Sequence, residues 1–137
     1  MGKTKITRTR QACHANCLSL SSDEESLFLG LSDGDVAHYS IDPTNFKLSK
    51  IEWFMAHQEA INGMEISGNK KALATCSSGA VSNLRLWLDD TKRGTTFGTK
   101  MDYKLFQDIT IESGPVNSIR ISNDLKTVVS GDSTGTI

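Results

Sequence analysis

Ala60–Trp87 reads AINGMEISGNKKALATCSSGAVSNLRLW, and its opening heptad recurs in register on either side. Ile61-Asn62-Gly63-Met64-Glu65-Ile66-Ser67 has an upstream counterpart in Ala15-Asn16-Cys17-Leu18-Ser19-Leu20-Ser21. The downstream counterpart is Val116-Asn117-Ser118-Ile119-Arg120-Ile121-Ser122. Each heptad carries Asn second, apolar residues fourth and sixth, and Ser seventh. Apolar residues two apart are what a half-buried strand requires, because successive side chains alternate between faces. The match continues past each heptad. Asp23 and Asp124 share one offset from the closing Ser, and Leu27, Leu73 and Val128 share another. Gly30 matches Gly131, and Gly34 matches Gly135. The heptads recur 46 and then 55 residues apart, and an internal repeat outweighs any single-residue signal.

Each unit reads as strand, polar turn, strand, Gly-containing turn, strand ending in an aromatic, then a fourth strand. Ala56-His57 precedes the first strand of the second unit by four residues, followed by Ala72-Leu73-Ala74-Thr75 and Leu84-Arg85-Leu86-Trp87-Leu88-Asp89. Ser32–Tyr39 and Val129–Ile137 are weaker copies. These residues resemble the WD-repeat β-propeller family, whose repeats run about 40–45 residues with four strands per blade. The Trp-Asp signature is loose here, with Leu88 between Trp87 and Asp89. The resemblance implies an all-β fold of four-stranded antiparallel blades covering 1–137. It divides the chain into a basic N-terminal segment at 1–10, blade 1 at 11–54, blade 2 at 55–108 and a truncated blade 3 at 109–137.

Blade 1 is expected to have strands near 16–20, 26–31, 35–41 and 47–54, with Asp42-Pro43-Thr44-Asn45 turning before the last. Blade 2 is expected at 61–66, 71–76, 82–88 and 101–107, with Asp89–Lys100 as a long polar connection. Blade 3 begins at 116–121 and 126–130 and opens a third strand at Gly135-Thr136-Ile137. Propellers close with about four to eight blades, so this chain by itself is not expected to close one. It is read as part of a longer product or, alternatively, as completing a ring with other chains. The N-terminal Lys3, Lys5, Arg8 and Arg10, without an acid among them, fit either an edge strand or a solvated basic tail. The acids Asp23, Glu24, Glu25, Asp33, Asp35 and Asp42 fall mostly in expected turns, where short carboxylates bond nearby backbone N–H groups.

Composition narrows the function classes. A hydrophobic content of 37%, 23% charged residues and a net charge of −1 argue against a disordered chain and against bulk electrostatic capture of nucleic acid. No apolar run reaches the roughly 18 residues that span a bilayer, and Met1–Arg10 lacks the apolar segment of a secretory signal. Three cysteines, Cys13, Cys17 and Cys76, cannot all pair. The expected location is cytoplasmic or nuclear, with reduced thiols and no membrane contact.

Catalytic and metal-binding patterns are weak. Cys13-His14-x-x-Cys17 gathers three donors, but zinc sites take four ligands, usually in two spaced pairs. His38, His57 and Cys76 are scattered, and no metal or cofactor is expected. Gly2-Lys3-Thr4 lacks the upstream Gly, the strand and the helix of a phosphate loop. No nucleophile-elbow context is present, so the chain is not expected to be an enzyme. The resemblance gives His57, Thr75 and Trp87 a structural role in a buried hydrogen-bond relay. The relay's turn Asp is replaced by Ser77-Ser78-Gly79-Ala80, which leaves the imidazole with fewer expected partners. Gln11 and Glu112 stand at the matching His positions of the other units. Gly34 and Gly135 are read as structural turn positions.

The function implied by the resemblance is a non-catalytic protein–protein interaction scaffold that presents loops to partner proteins. Candidate partner-binding residues are Gln58, Glu59, Arg85 and the loop residues Lys92, Arg93 and Phe97, the last as an aromatic anchor. The alternative is a subunit of an RNA-processing or ribosome-biogenesis particle, contacting nucleic acid through the basic N-terminus and Lys92, Arg93, Lys100 and Lys104. That alternative lacks an interleaved aromatic stacking surface.

Overall fold

The computed structural model describes residues 13–91 and 101–137. Every regular element among them is a strand: β1 Ala15–Leu20, β2 Ser26–Leu31, β3 Asp35–Ile41, β4 Leu48–Met55, β5 Ile61–Ile66, β6 Ala72–Ser77, β7 Leu84–Asp89, β8 Tyr103–Ile109, β9 Val116–Ile121 and β10 Val128–Asp132. They form sheet 1 (β1–β4), sheet 2 (β5–β8) and sheet 3 (β9–β10), each antiparallel in sequence order. β1 lies beside β5, and β5 beside β9, so the first strands of the three sheets are neighbours. Among the described residues the three sheets do not close on one another.

The recurring Asn and Ser explain the repetition. Position two of each heptad is a β-bulge. Asn16 falls between Ala15↔Leu31 and Cys17↔Gly30, Asn62 between Ile61↔Ser77 and Gly63↔Cys76, and Asn117 between the partners of Asp132 and Gly131. A bulge takes its residue out of the ladder and re-aims the side chain. Asn16 Nδ2 donates to the Ile61 carbonyl at 3.1 Å, and Asn62 Nδ2 donates to the Val116 carbonyl at 3.0 Å. The closing Ser builds a turn three times over. Ser21, Ser67 and Ser122 each donate Oγ–H to the side-chain oxygen two residues on, Asp23, Asn69 and Asp124. Each hydroxyl also accepts the backbone N–H five residues on, from Ser26, Ala72 and Thr127. The residue inside each turn, Glu24, Lys70 and Leu125, is left-handed with φ near 60°.

Alternation along the strands splits the apolar residues between two layers. Phe28 and Val36 of the first unit, with Ala56 of the link that follows it, meet Ile61, Met64, Ile66, Leu73 and Trp87, with Cys17, Phe54 and Tyr103 at the margins. Tyr103 and Phe54 approach Phe28 and Trp87 edge-on, at 5.9 Å and 5.3 Å between centroids. On the other face of sheet 2, Ala74, Cys76 and Leu84 pack on Val116 and Ile119. Sheet 2 is therefore covered on both faces, and all six residues of β6 are buried.

Four expected elements differ: β7 starts at Leu84 rather than near 82, and β10 runs Val128–Asp132 rather than 126–130. β8 starts at Tyr103 rather than near 101, because the Asp102 N–H is held by the Asp89 carboxylate at 2.9 Å and Met101 is tucked inside ahead of the ladder. Gly135–Ile137 forms no strand. It holds a turn, with Gly135 N–H reaching the Asp132 carbonyl at 3.3 Å, Asp132 N–H reaching the Thr136 carbonyl at 3.0 Å and Thr136 N–H reaching the Asp132 carboxylate at 2.9 Å. The N-terminal segment 1–10, Gln11, and the loop residues Lys92, Arg93, Phe97 and Lys100 lie outside the described residues.

Candidate functional site

The link from β4 to β5 carries Ala56-His57-Gln58-Glu59 across the end of sheets 1 and 2. Gly34 holds it in place: its carbonyl accepts both Ala56 N–H at 3.0 Å and His57 N–H at 2.9 Å. Gly34 has φ of +94°, and a Cβ there would sit 2.0 Å from the His57 carbonyl oxygen. Only glycine meets both the left-handed backbone and the close approach. Gly135 has a similar φ of +89° with nothing within 4 Å of the same position.

Below this link, His57 is 2% exposed and hydrogen-bonded at both ring nitrogens. Nδ1 lies 3.1 Å from the Ser82 carbonyl, and Nε2 lies 2.8 Å from Thr75 Oγ1. A carbonyl can only accept, so the proton sits on Nδ1 and Nε2 is the acceptor. Thr75 then donates its hydroxyl proton to Nε2 and accepts Trp87 Nε1–H at 3.0 Å. The structure thus joins His57, Thr75 and Trp87 in one directional chain of hydrogen bonds. The carbonyl of Ser82, a non-glycine residue with φ of 50°, fills the place of the carboxylate that the sequence lacks. Burial and the nearby Arg85 cation together push the His57 pKa down from 6.5 to about 4, so the ring is neutral at physiological pH.

A cleft of about 160 Å³ opens above this chain, lined by His57, Gln58, Glu59, Val81, Ser82 and Arg85 among others. Gln58, Glu59 and Val81 are exposed at its rim, Val81 by 72%. Arg85 is held at both terminal nitrogens, by the Ala56 carbonyl at 2.7 Å and by Asp108 at 3.0 Å. Of the candidate partner-binding residues, the cleft gathers Gln58, Glu59 and Arg85. Glu112 is exposed on the link to sheet 3, and Lys104 pairs with Asp102 at 3.2 Å.

Two residues of the site escaped the sequence reading. Asn83 is fully buried and ties the 78–83 loop to the link after β8. Its Nδ2 donates to the carbonyls of Gly79, Ile111 and Gly114, and its Oδ1 accepts Ile111 N–H. Asp108 anchors Arg85 across the β7–β8 pair. The available signal was a short amide at the end of Ser77-Ser78-Gly79-Ala80-Val81-Ser82-Asn83, the residue type that competes for loop backbone.

The remaining histidine of sheet 1, His38, is 1% exposed, stacked on Phe28 at 4.2 Å and 3.2 Å from Ser26 Oγ through Nε2. Burial, with Lys70 nearby, lowers its pKa to about 4. Burial drives the thiols the other way, Cys17 to about 11 and Cys76 to about 12, so neither is a thiolate at neutral pH. Among the described residues no cluster of three or more His, Cys, Asp or Glu side chains could hold a metal ion. No helix there is long and apolar enough to cross a membrane. No protein-family model matches the chain, and no curated protein matches it at a significant level.

Proposed function

We propose that the chain is a protein-interaction module of the WD-repeat propeller kind, non-catalytic, which offers the end of sheets 1 and 2 to a protein partner. The observation that carries this reading is the cleft beside Gln58 and Glu59, on a link held rigidly by Gly34 and by the His57 chain. Its size favours a protein ligand. Small-molecule pockets enclose about 300–1,000 Å³, whereas about 160 Å³ takes one side chain. The rim combines the Glu59 carboxylate with the exposed Val81, while Arg85 is already paired with Asp108. That combination suits a Lys or Arg side chain, aliphatic stem on Val81 and cation on Glu59.

Selection of a displayed peptide library on the immobilised chain tests the reading. Enriched peptides should carry a basic residue, and Glu59→Lys should abolish their binding while leaving the thermal midpoint unchanged. Enrichment indifferent to Glu59→Lys would overturn the site. Binding of RNA instead, falling steeply between about 50 and 200 mM salt, would replace the protein-partner reading with the nucleic-acid one.

A further inference from the structure

Two demands of the joint between sheets 2 and 3 fall on neighbouring residues. The joint uses an amide at position two of the central heptad, because Asn62 Nδ2 donates to the Val116 carbonyl at 3.0 Å. It also needs position three bare. A Cβ on Gly63 would lie 3.1 Å from Cys76 Sγ, 3.2 Å from Ser118 Cα and 3.3 Å from the Asn117 carbonyl oxygen, closer than side chains ordinarily settle. Two of those atoms are β9 backbone, so sheet 3 comes this near only over a glycine. The first and third heptads carry Cys17 and Ser118 at the same position. No other asparagine of the chain precedes a glycine.

An asparagine side-chain amide is most open to attack by the next backbone nitrogen when glycine follows, since no side chain obstructs closure of a five-membered ring. The Gly63 nitrogen, giving up its proton, bonds to Asn62 Cγ. The Cγ–Nδ2 bond breaks, and ammonia leaves carrying that proton. Water then opens the cyclic imide at one of its two carbonyls. One opening gives aspartate; the other gives an isoaspartyl link, in which the main chain runs through the former side chain. The folded joint opposes this reaction. Asn62 is half-buried, with Nδ2 held by the Val116 carbonyl and Oδ1 accepting the Ser78 hydroxyl at 3.0 Å. The amide must leave both partners before it can turn onto its own main chain.

We propose that Asn62 is a self-modification site, converted to aspartate or isoaspartate when the joint between sheets 2 and 3 opens, and that conversion keeps the joint from closing again. Either product loses the donor to Val116. Aspartate sets a carboxylate against that carbonyl, acceptor to acceptor, at a half-buried place. The isoaspartyl link adds a carbon to the main chain of β5 at its bulge, which moves Gly63 out of register with Cys76. Asn16 holds the joint between sheets 1 and 2 and is followed by Cys17, so that joint is spared. The inference goes beyond the partner-binding reading and is independent of it, since Glu59 takes no part.

Incubating the purified chain at mildly alkaline pH and mapping its peptides by mass reads the conversion. The amide-to-acid mass gain should appear at Asn62 ahead of every other asparagine, and more slowly than in the same chain unfolded in urea. Ser78→Ala removes one of the two holds and should speed conversion about two- to tenfold, the worth of one hydrogen bond. Asn62→Asp, the product made directly, should raise amide exchange in β9 and β10 and leave β2 and β3 at the wild-type level. Another asparagine converting first overturns the proposal. So does a rate equal in the folded and unfolded chain, or one unmoved by Ser78→Ala, because the joint would then not govern the reaction. Wild-type exchange of β9 in Asn62→Asp overturns the claim that conversion holds the joint open. If that variant does not fold, the converted fraction of the wild-type chain, separated by its added charge, gives the same exchange comparison.

Discussion

The titration of His57 and His38 follows from where their rings sit. Both are almost wholly buried, and His57 spends its only N–H on the Ser82 carbonyl, which leaves Nε2 to accept from Thr75. Protonating Nε2 would bury a charge away from water and place it next to Arg85, which outweighs the hydrogen bonds that would favour it. The folded pKa, about 4 for each ring, therefore lies below the unfolded value of 6.5. The unfolded chain binds the extra protons, so stability is whole above about pH 6.5 and declines as pH falls towards about 4. At 1.36 kcal/mol per pKa unit, the full loss is on the order of 3 kcal/mol per ring. Carboxylates contribute lower down. For Asp23, desolvation raises the pKa, but hydrogen bonds from Lys70, Ser21 and the Glu25 N–H outweigh it and hold the group at about 2. Urea midpoints at pH 7 and pH 4.5 isolate the imidazole window, and a midpoint that does not move across it would contradict two neutral buried rings. The relay was legible in part. His57, Thr75 and Trp87 could be named only through the family resemblance, whereas a carbonyl from Ser82 could not be named at all, because any residue supplies one and only the loop's path decides which.

Turns and bulges account for why the strands were legible in outline. Period-two alternation places β1, β5 and β9 to within a residue, since the same alternation later divides the side chains between the two apolar layers. The meaning of Ser seventh was less visible. Asp23 and Asp124 announce an Asx turn, and Asn69 performs the same task at the same offset with a different side chain. What the task requires is an acceptor oxygen, which Asp and Asn both provide. Strand ends were the weakest reading. β8 slid by two residues because capping by Asp89, a side-chain contact between distant positions, decides where its ladder begins. Within the central turn, Ser67 is 3% exposed and holds the Ala72 N–H at 2.9 Å. Ser67→Ala leaves that buried N–H without a partner and leaves Asn69 Oδ1 only the Lys71 N–H, so it should cost about 1–3 kcal/mol. Ser122→Ala makes the same deletion at an exposed turn, where water replaces the hydroxyl, and should cost less than about 1 kcal/mol. Paired urea titrations of the two variants check the difference, and equal losses would mean that burial is not what gives the turn its strength.

At the scale of the whole molecule, stability is distributed by neighbours. Arrays of repeats are held by each unit's own packing plus the interfaces to adjacent units. Sheet 2 has an interface on both faces, through Leu73 and Trp87 on one side and Ala74, Cys76 and Leu84 on the other. Among the described residues, sheet 1 has one interface and four strands. Sheet 3 has one interface and two strands among them, with Val128 half-buried and Val129 exposed. Local opening draws on the least-covered elements first, because few buried contacts have to be given up. Amide exchange should therefore rank the sheets. Protection should be highest in β6, whose six residues are all buried and which is paired on both edges with β5 and β7. It should be intermediate in β2 and β3, and lowest in β9 and β10. Hydrogen–deuterium exchange read by peptide mass measures the ranking. Uniform protection across the three sheets would mean that the array opens as a single cooperative unit, and that the interfaces are worth more than the sheets they join.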